Sequence, residues 1–591
     1  MSEITRHFAV APDELARALL AATGPGALPA ILRGKPEGEA ARKALPALVA
    51  AHGVGFVVAA RLRGHELAAP LEVAEERTDG TVRARLRAAA ARNGVPLEFP
   101  AAVVRETEQL LAAPGIDDPT LVDLTALPFV TVDGPTSRDL DQALHLSREG
   151  AGYCFRYAIA DAAYYVRPAS ALFEECLARG ASYYLPGQSF PMLPRALSEG
   201  LVSLNEGVDR RSLVFVISLD AAGVVTKTEL VRARVRSRGK LSFPAVQAFL
   251  DGDGAYDREP YAESLRLLPV IGRLRETDAA LRQVVRYRRT ELELKIGGEG
   301  LSFIVLEGLR HEVERWNEQL SLLCNSEGGT FLRDAKRPEI QPIYRVHPAP
   351  DPDRVAGLEA MIAAVVELHA LPPSFLWKAA GPQGLSDYLA QLPTEGPHAR
   401  IAAAIQRQAI LVNVRSSYST EPGLHHGVGV EPYARFSAPM REIVGVFVHK
   451  EAIEKLTGKG SIDVALRTRV VDSANRARDV QRRLNDAANR MVLDQIFGED
   501  LKKRLEDRPL HVGTVVGVAP GKVHVLLDAP TIDVKLYMGD VGKGLGGFLV
   551  VGHAGAALLK DGKRALALGD ELRVRVEGRD ESRDRWVLIP R

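Results

Sequence analysis

The run Thr131-Val132-Asp133-Gly134-Pro135-Thr136-Ser137-Arg138-Asp139-Leu140-Asp141-Gln142 sets three carboxylates, Asp133, Asp139 and Asp141, within nine residues. The preceding Leu127–Val132 stretch is apolar and β-branched, so it reads as a buried strand ending at the first aspartate. Gly134 and Pro135 then force a turn. Strand, turn and two further acids at alternate positions aim hard oxygen ligands at one point. Mg²⁺ prefers such oxygens and shares its shell with water and substrate phosphates. A solvated acidic surface turn explains the same residues equally well.

Two other runs have chemical potential. Tyr183-Tyr184-Leu185-Pro186-Gly187-Gln188-Ser189-Phe190-Pro191-Met192-Leu193-Pro194 is dense in aromatics and prolines. Prolines stiffen the loop, and an oriented tyrosine is what stacking of a terminal base requires. A tyrosine buried in the core is the plainer reading. Tyr433-Ala434-Arg435-Phe436-Ser437-Ala438-Pro439-Met440-Arg441 brings two arginines beside aromatics. An arginine near a bound phosphate stabilises charge that develops during phosphoryl transfer. Otherwise Arg441 is an ordinary first-turn helix residue. His425 and His426 have no carboxylate at ligand spacing and read as hydrogen-bonding core or loop histidines.

These runs need a large scaffold to bring them together. At 591 residues the chain exceeds one core, and several domains are expected. Its 76 basic and 75 acidic residues leave a net charge of +1, so any nucleic-acid site must come from local clustering. Three widely spaced cysteines, Cys154, Cys176 and Cys324, argue against a disulfide framework or zinc knuckle and suit a reducing cytoplasm. No signal-like or membrane-spanning stretch is read in the chain.

The expected architecture is α+β and multidomain. Residues 1–90 form a small helical domain, either a winged helix or a generic helical cap. Arg77, Arg83, Arg85, Arg87 and Arg92 read as a solvated helix face rather than a phosphate track. Residues 94–500 form a central mixed α/β domain that ends in a long charged helix over about 465–505. Residues 509–591 contain short strands separated by Gly, Pro and Asp turns. They fit an OB-fold barrel, a common oligonucleotide binder. Gly542-Lys543-Gly544-Leu545-Gly546-Gly547 lacks the Gly-Lys-Ser/Thr ending of a phosphate loop and reads as a flexible turn.

Taken in order, eight runs resemble the RNB exoribonucleases, the ribonuclease II and ribonuclease R family. They are Thr131–Ala143, Ile159–Asp161, Tyr184–Pro186, Pro191–Pro194, Leu201–Asn205, Tyr344–His347, Tyr418–Ser419 and Phe436–Arg441. The resemblance implies an RNB catalytic domain followed by an S1-type OB-fold. It also implies processive 3′→5′ hydrolysis of single-stranded RNA to nucleoside 5′-monophosphates. By resemblance, Asp133, Asp139 and Asp141 are metal-site aspartates for one or two Mg²⁺ ions, with Mn²⁺ able to substitute. Asp141 and Arg441 are the catalytic pair, and Tyr184 stacks on the 3′-terminal nucleotide. A monomeric, cytoplasmic enzyme without a membrane partner is expected.

The chain departs from the family pattern at several positions. Gln142 stands where the family usually has a fourth aspartate; its amide oxygen is expected to serve as an uncharged metal ligand. Glu442, Ile443 and Gly445 follow Arg441 where the family has a basic residue, an aromatic and an aspartate. Gln481 occupies a glutamate position. These changes motivate the competing expectation of an RNA-binding protein that keeps the fold with weakened catalysis.

Overall fold

The computed structural model describes residues 81–282, 284, 285, 287, 310–333 and 337–591. It also describes the strand pair Leu292–Ile296 and Phe303–Glu307, and four two-residue strands between residues 57 and 72. Those short strands pair as Val57–Val58 with Leu71–Glu72 and Arg61–Leu62 with His65–Glu66. Most of the small helical domain expected over residues 1–90, winged helix or helical cap, lies outside the described residues.

Helix α1 (Val82–Arg92) starts where the Thr81 side chain accepts a hydrogen bond from Ala84 N at 3.1 Å. Val82, Leu86, Ala89 and Ala90 are buried, while Arg85, Arg87 and Arg92 are exposed. These three arginines thus lie on a solvated face, where Arg87 pairs with Glu98; Arg83 is half-buried, and Arg77 lies outside the described residues.

The core of the central region is a ring of strands. Strand β1 (Phe129–Asp133) is buried until its final aspartate, as the apolar run predicts. Strands β2 (Gln142–Glu149) and β3 (Gly152–Ala160) form a hairpin. A short hairpin, β4 (Tyr183–Leu185) with β5 (Gln188–Phe190), stands outside the ring. Strand β6 (Asp209–Leu219) pairs with β3 on one side and with β7 (Val225–Ser242) on the other. The C-terminal end of β7 then runs parallel to β1, from Ser237↔Phe129 to Ser242↔Asp133. The five strands close on themselves in the order β1-β2-β3-β6-β7. Between β1 and β2 the only paired position is Val130↔Leu144. The seam opens there, and the acidic segment 134–141 spans it.

Helices cover the ring. Helix α2 (Ala262–Leu281) lies against α3 (Glu312–Arg333), which buries Trp316, Leu320 and Cys324. Further on come α4 (Pro352–Leu368), α5 (Ala399–Val412), α6 (Ile443–Thr457) and α7 (Val464–Leu501). Helix α7 matches the long charged pattern, with Asp463 capping its first turn through Leu466 N at 2.9 Å. Its 38 residues carry a buried stripe at helical spacing, Leu466, Val470, Ala474, Ala477 and on to Val492. Leu466, Val470 and Ala474 join the core around the ring; Ala477 onward joins a second core.

That second core includes the C-terminal strands. A five-stranded antiparallel sheet is formed by β8 (His511–Ala519), β9 (Lys522–Leu527), β10 (Asp533–Tyr537), β11 (Glu571–Asp580) and β12 (Arg585–Pro590). Its spatial order is β10-β9-β8-β11-β12. Val515, Val525 and Val574 share one apolar cluster with Val365 of α4, Ile405 of α5 and Leu484 of α7. The chain is thus a mixed α/β multidomain fold whose last strands rest on helices of the preceding region.

Candidate active site

Three loops from distant parts of the sequence meet at the open seam. The first is the acidic turn. Asp133 Oδ1 accepts from Gly134 N at 2.7 Å and from Ser137 Oγ at 2.9 Å, which folds the carboxylate back on its own turn. The far side is clamped by the Leu201–Asn205 run. Ser203 Oγ accepts from Leu140 N at 3.0 Å and donates to Arg138 O at 2.8 Å, while Leu204 N donates to Leu140 O at 3.0 Å. Asp139 and Asp141 are thereby held on either side of a fixed backbone position.

The second loop carries Tyr184. Tyr183 and Leu185 are buried at 3% and 7% exposure, and alternation along β4 turns Tyr184 outward at 46%. Its hydroxyl donates to Asp139 Oδ2 at 3.2 Å. Burial and the neighbouring Asp139 carboxylate raise its phenol pKa, so it remains a donor. Gly180 ends the preceding helix with φ 76°; a Cβ there would lie 2.7 Å from Ser473 O on α7. This close approach brings β4 against α7, where Gln481 accepts from Tyr184 N at 3.0 Å and donates to Tyr184 O at 2.9 Å.

The third loop ends at Arg441. Asn325 on α3 is fully buried and organises it: its Oδ1 accepts from Phe436 N at 2.7 Å and Ser437 N at 3.0 Å. Its Nδ2 donates to Tyr433 Oη at 3.0 Å and Ser437 Oγ at 2.9 Å. Met440 N then donates to Asp141 Oδ1 at 3.0 Å, and Arg441 Nε to Asp141 Oδ2 at 2.6 Å. Ser182 N donates to Arg441 O at 2.9 Å, joining the second and third loops directly.

Asp141 is 2% exposed. Burial pushes its carboxyl up to about 6, against the pull of Arg441 and the Met440 N–H. Burial alone would lower the Arg441 pKa; the Asp141 carboxylate raises it instead. At neutral pH both carry charge. Beside them, Glu442 accepts from Arg435 Nε at 3.1 Å and from the Tyr418 hydroxyl. Burial opposes its charge, yet Arg435 and Arg345 bring its carboxyl down to about 2. The reversed charge at 442 is therefore balanced by Arg435 of the same loop and by Arg345 of a distant segment. The glycine at 445 also has a local reason: a Cβ would lie 2.7 Å from Pro439 Cα and 3.0 Å from Ala438 O. An aspartate could not enter without moving the turn that presents Arg441.

The Gln142 amide, expected as a metal ligand, is tied into contacts from other elements. Its Oε1 accepts from Tyr157 Oη and from Ser321 Oγ (3.1 Å), and its Nε2 donates to Ser437 O at 2.6 Å. The two hydroxyls also bond each other at 2.6 Å, so the amide oxygen is part of a three-membered hydroxyl network. Among the described residues no three His, Cys, Asp or Glu side chains converge as a closed metal cage. The donor chemistry still suits Mg²⁺, which needs only one or two carboxylates when phosphates and waters complete its shell. Asp139 and Asp141 are close enough for their charges to interact. They meet that requirement; Asp133 faces its own turn.

His425 and His426 lie with His347 in an aromatic cluster, ring centroids 5.3 and 5.8 Å from His347. Burial lowers the pKa of all three, in keeping with neutral structural histidines. Asn325 and the Arg435–Glu442 pair were not expected as organisers of the site. The only sequence signal for them was an Asn inside an apolar helix and the altered residues after Arg441.

A closed ring of strands with an acid, a tyrosine and an arginine at its seam defines a domain suited to phosphate chemistry. The RNB domain model matches residues 121–456, more than half of the 591 residues, and the chain belongs to that family. Ribonuclease R of Vibrio parahaemolyticus is 29% identical over 371 residues, 62% of this chain and 43% of that protein. Exoribonuclease 2 of Cronobacter sakazakii is 29% identical over 412 residues, 69% of this chain and 61% of that protein. The chain thus spans between two fifths and three fifths of the length of these relatives. Among solved structures, Mycoplasma genitalium RNase R in complex with ribose methylated single-stranded RNA aligns with a TM-score of 0.75 at 21% identity. That alignment covers 89% of this chain and 80% of the other, and it shows a shared fold. No helix among the described residues is long and apolar enough to cross a membrane.

Proposed function

We propose that this protein is a divalent-metal-dependent 3′→5′ exoribonuclease that shortens single-stranded RNA and releases nucleoside 5′-monophosphates. The observation that carries this reading is the meeting of Tyr184 with Asp139 and of Arg441 with Asp141 at one seam. Tyr184 stacks on the 3′-terminal base and sets the scissile phosphate over the acids. Asp139 and Asp141 hold Mg²⁺, with Asp133 on the rim of the same turn. The bound ion supplies Lewis-acid polarisation and an activated water. Arg441 exchanges its bond with Asp141 for the equatorial phosphate oxygens and offsets their growing charge. Asn325 and the Arg435–Glu442 pair keep that arginine in place. The 2′-hydroxyls give the site a means of distinguishing RNA from DNA.

Within this reading, residues 1–90 form a winged-helix module, 94–500 the catalytic domain and 509–591 an S1-type OB-fold that guides RNA. The helix Met538–Leu545 after the third C-terminal strand supports the last assignment. The enzyme acts as a cytoplasmic monomer.

Purified protein, incubated with Mg²⁺ and 5′-labelled single-stranded RNA beside an Asp141→Asn variant, tests the proposal. The expected result is a ladder that shortens from the 3′ end with mononucleotide product, lost in the variant. Tight binding without shortening in either protein would overturn it and leave an RNA-binding protein of the same fold.

A further inference from the structure

We infer that Gln481 is the positioning residue for the nucleotide platform: its amide clasps both backbone polar groups of Tyr184 and fixes the ring over the acids. The inference rests on the exoribonuclease reading above.

Three observations carry it. In the β4–β5 hairpin Tyr184 is directly opposite Ser189, yet its N–H and C=O turn to α7, where one side chain meets both. The Gln481 amide thus completes the outer edge of β4 as a neighbouring strand would. The Nε2 group has a second proton, which goes to Asn485 Oδ1 at 2.7 Å one turn along α7, so the amide is held in that orientation. Finally, the Tyr184 ring is the exposed member between two buried neighbours. Its hydroxyl bonds to Asp139 at the tip. The side chain is thus held at its tip by an acid and at its base by the backbone that Gln481 clasps.

Only an amide has this two-sided capacity. A glutamate at 481 accepts from Tyr184 N, but its second oxygen faces the Tyr184 carbonyl, and two acceptors repel. Asparagine is one methylene too short. The amide at 481 therefore suits a platform with a rigid backbone rather than an acid that takes part in chemistry.

The test uses the full chain with Gln481→Glu and the near-isosteric Gln481→Met, plus Asn485→Ala as a milder variant that keeps the clasping side chain. An RNA carrying 2-aminopurine at its 3′ end reports stacking by fluorescence quenching in EDTA, where no turnover occurs. KM and kcat are then measured with Mg²⁺. Wild type should quench. Both Gln481 variants should lose most of the quenching and raise KM about tenfold with kcat changed far less, as expected when uniform binding is lost. Quenching in Gln481→Glu should return as pH falls through the ordinary glutamate range, from about 6 to about 4, because a protonated carboxyl regains a donor. Gln481→Met, measured in the same series, should show no return, which separates the effect from titration of Asp141. Amide exchange of Tyr184 in the free protein should rise in Gln481→Met, which has no acceptor for Tyr184 N, and supplies a readout independent of RNA.

Unchanged quenching and KM in both variants, with unchanged exchange in Gln481→Met and wild type active, would overturn the clasp alone. A wild-type protein that neither quenches nor shortens RNA would overturn the exoribonuclease reading and this inference with it.

Discussion

Arg441 donates from Nε to Asp141 Oδ2 at 2.6 Å, so a guanidinium covers the one deeply buried carboxylate of the acidic turn. The pair is asymmetric: the Asp141 side chain is 1% exposed and that of Arg441 is 35%. A buried carboxylate without a partner is costly, and Arg441 offsets that cost. Under the proposed function the pair would part, leaving Asp141 to hold the cation and Arg441 to meet phosphate.

Arg441→Lys keeps the charge but loses the planar fork and the Nε donor. It should lower kcat by about 100-fold with a smaller change in RNA affinity, and Arg441→Ala should lower it further. Single-turnover rates on labelled RNA, measured beside binding isotherms, check this. Equal losses in rate and affinity would make Arg441 a plain phosphate anchor.

Tyr184→Phe removes the bond to Asp139 and keeps the ring. Activity should stay within a few-fold of wild type. Tyr184→Ala removes the stacking surface, worth about 1–3 kcal/mol per base, so KM should rise about tenfold or more. The length of the final undigested fragment should change as well, which gel analysis resolves.

The acidic turn, Tyr184 and Arg441 were legible because each lies in a short run with its own spacing. The strand ending at Asp133 was legible from apolar β-branched residues alone. What holds those runs together was not. Asp141 and Arg441 are 300 residues apart, Gln481 and Tyr184 297, and Asn325 and Ser437 112. A single sequence carries no signal for such pairings. The surroundings of Gln142 were hidden for the same reason: the hydroxyls of Tyr157 and Ser321, which bond to its amide oxygen, are supplied by other elements. The closing of the ring by β6 on β7 also depends on register rather than on residue type.

Asn325 satisfies two backbone N–H groups and two hydroxyls of the Arg441 loop from inside α3. Asn325→Leu leaves those groups buried and unpaired. Stability should fall by about 2–4 kcal/mol, which urea denaturation measures. The folded fraction of the variant should still bind RNA while losing hydrolysis, because the loop no longer presents Arg441 to Asp141.

Chelation should abolish hydrolysis and leave RNA binding largely intact, since Tyr184 and the arginines do not need the ion to bind. Adding back Mg²⁺ should restore the full rate. Because the described acids form no three-carboxylate cage, the ion should bind weakly without RNA and more tightly with it. Titrating Mg²⁺ against calorimetric heat, with and without a non-hydrolysable RNA, would reveal equal affinities if the acids alone made the site.

Glu442 offers a prediction whose sign follows from its surroundings. In the folded protein its carboxyl titrates near 2, below its ordinary value of 4.5, because Arg435 and Arg345 outweigh its burial. A depressed carboxyl pKa favours the ionised folded state. Its contribution to stability is therefore present above pH 4.5 and is lost as pH falls toward 2. The difference corresponds to about 3 kcal/mol at neutral pH, as an order of magnitude. Glu442→Gln should be destabilised by a roughly constant amount between pH 7 and 5. From pH 4.5 downward the gap to wild type should narrow, with more than half of its pH-dependent part gone by pH 3. Urea midpoints for both proteins across that range decide the matter. A gap that stays constant into acid would mean that the shape of the side chain, and its bond with the Tyr418 hydroxyl, matter more than the charge it holds against Arg435.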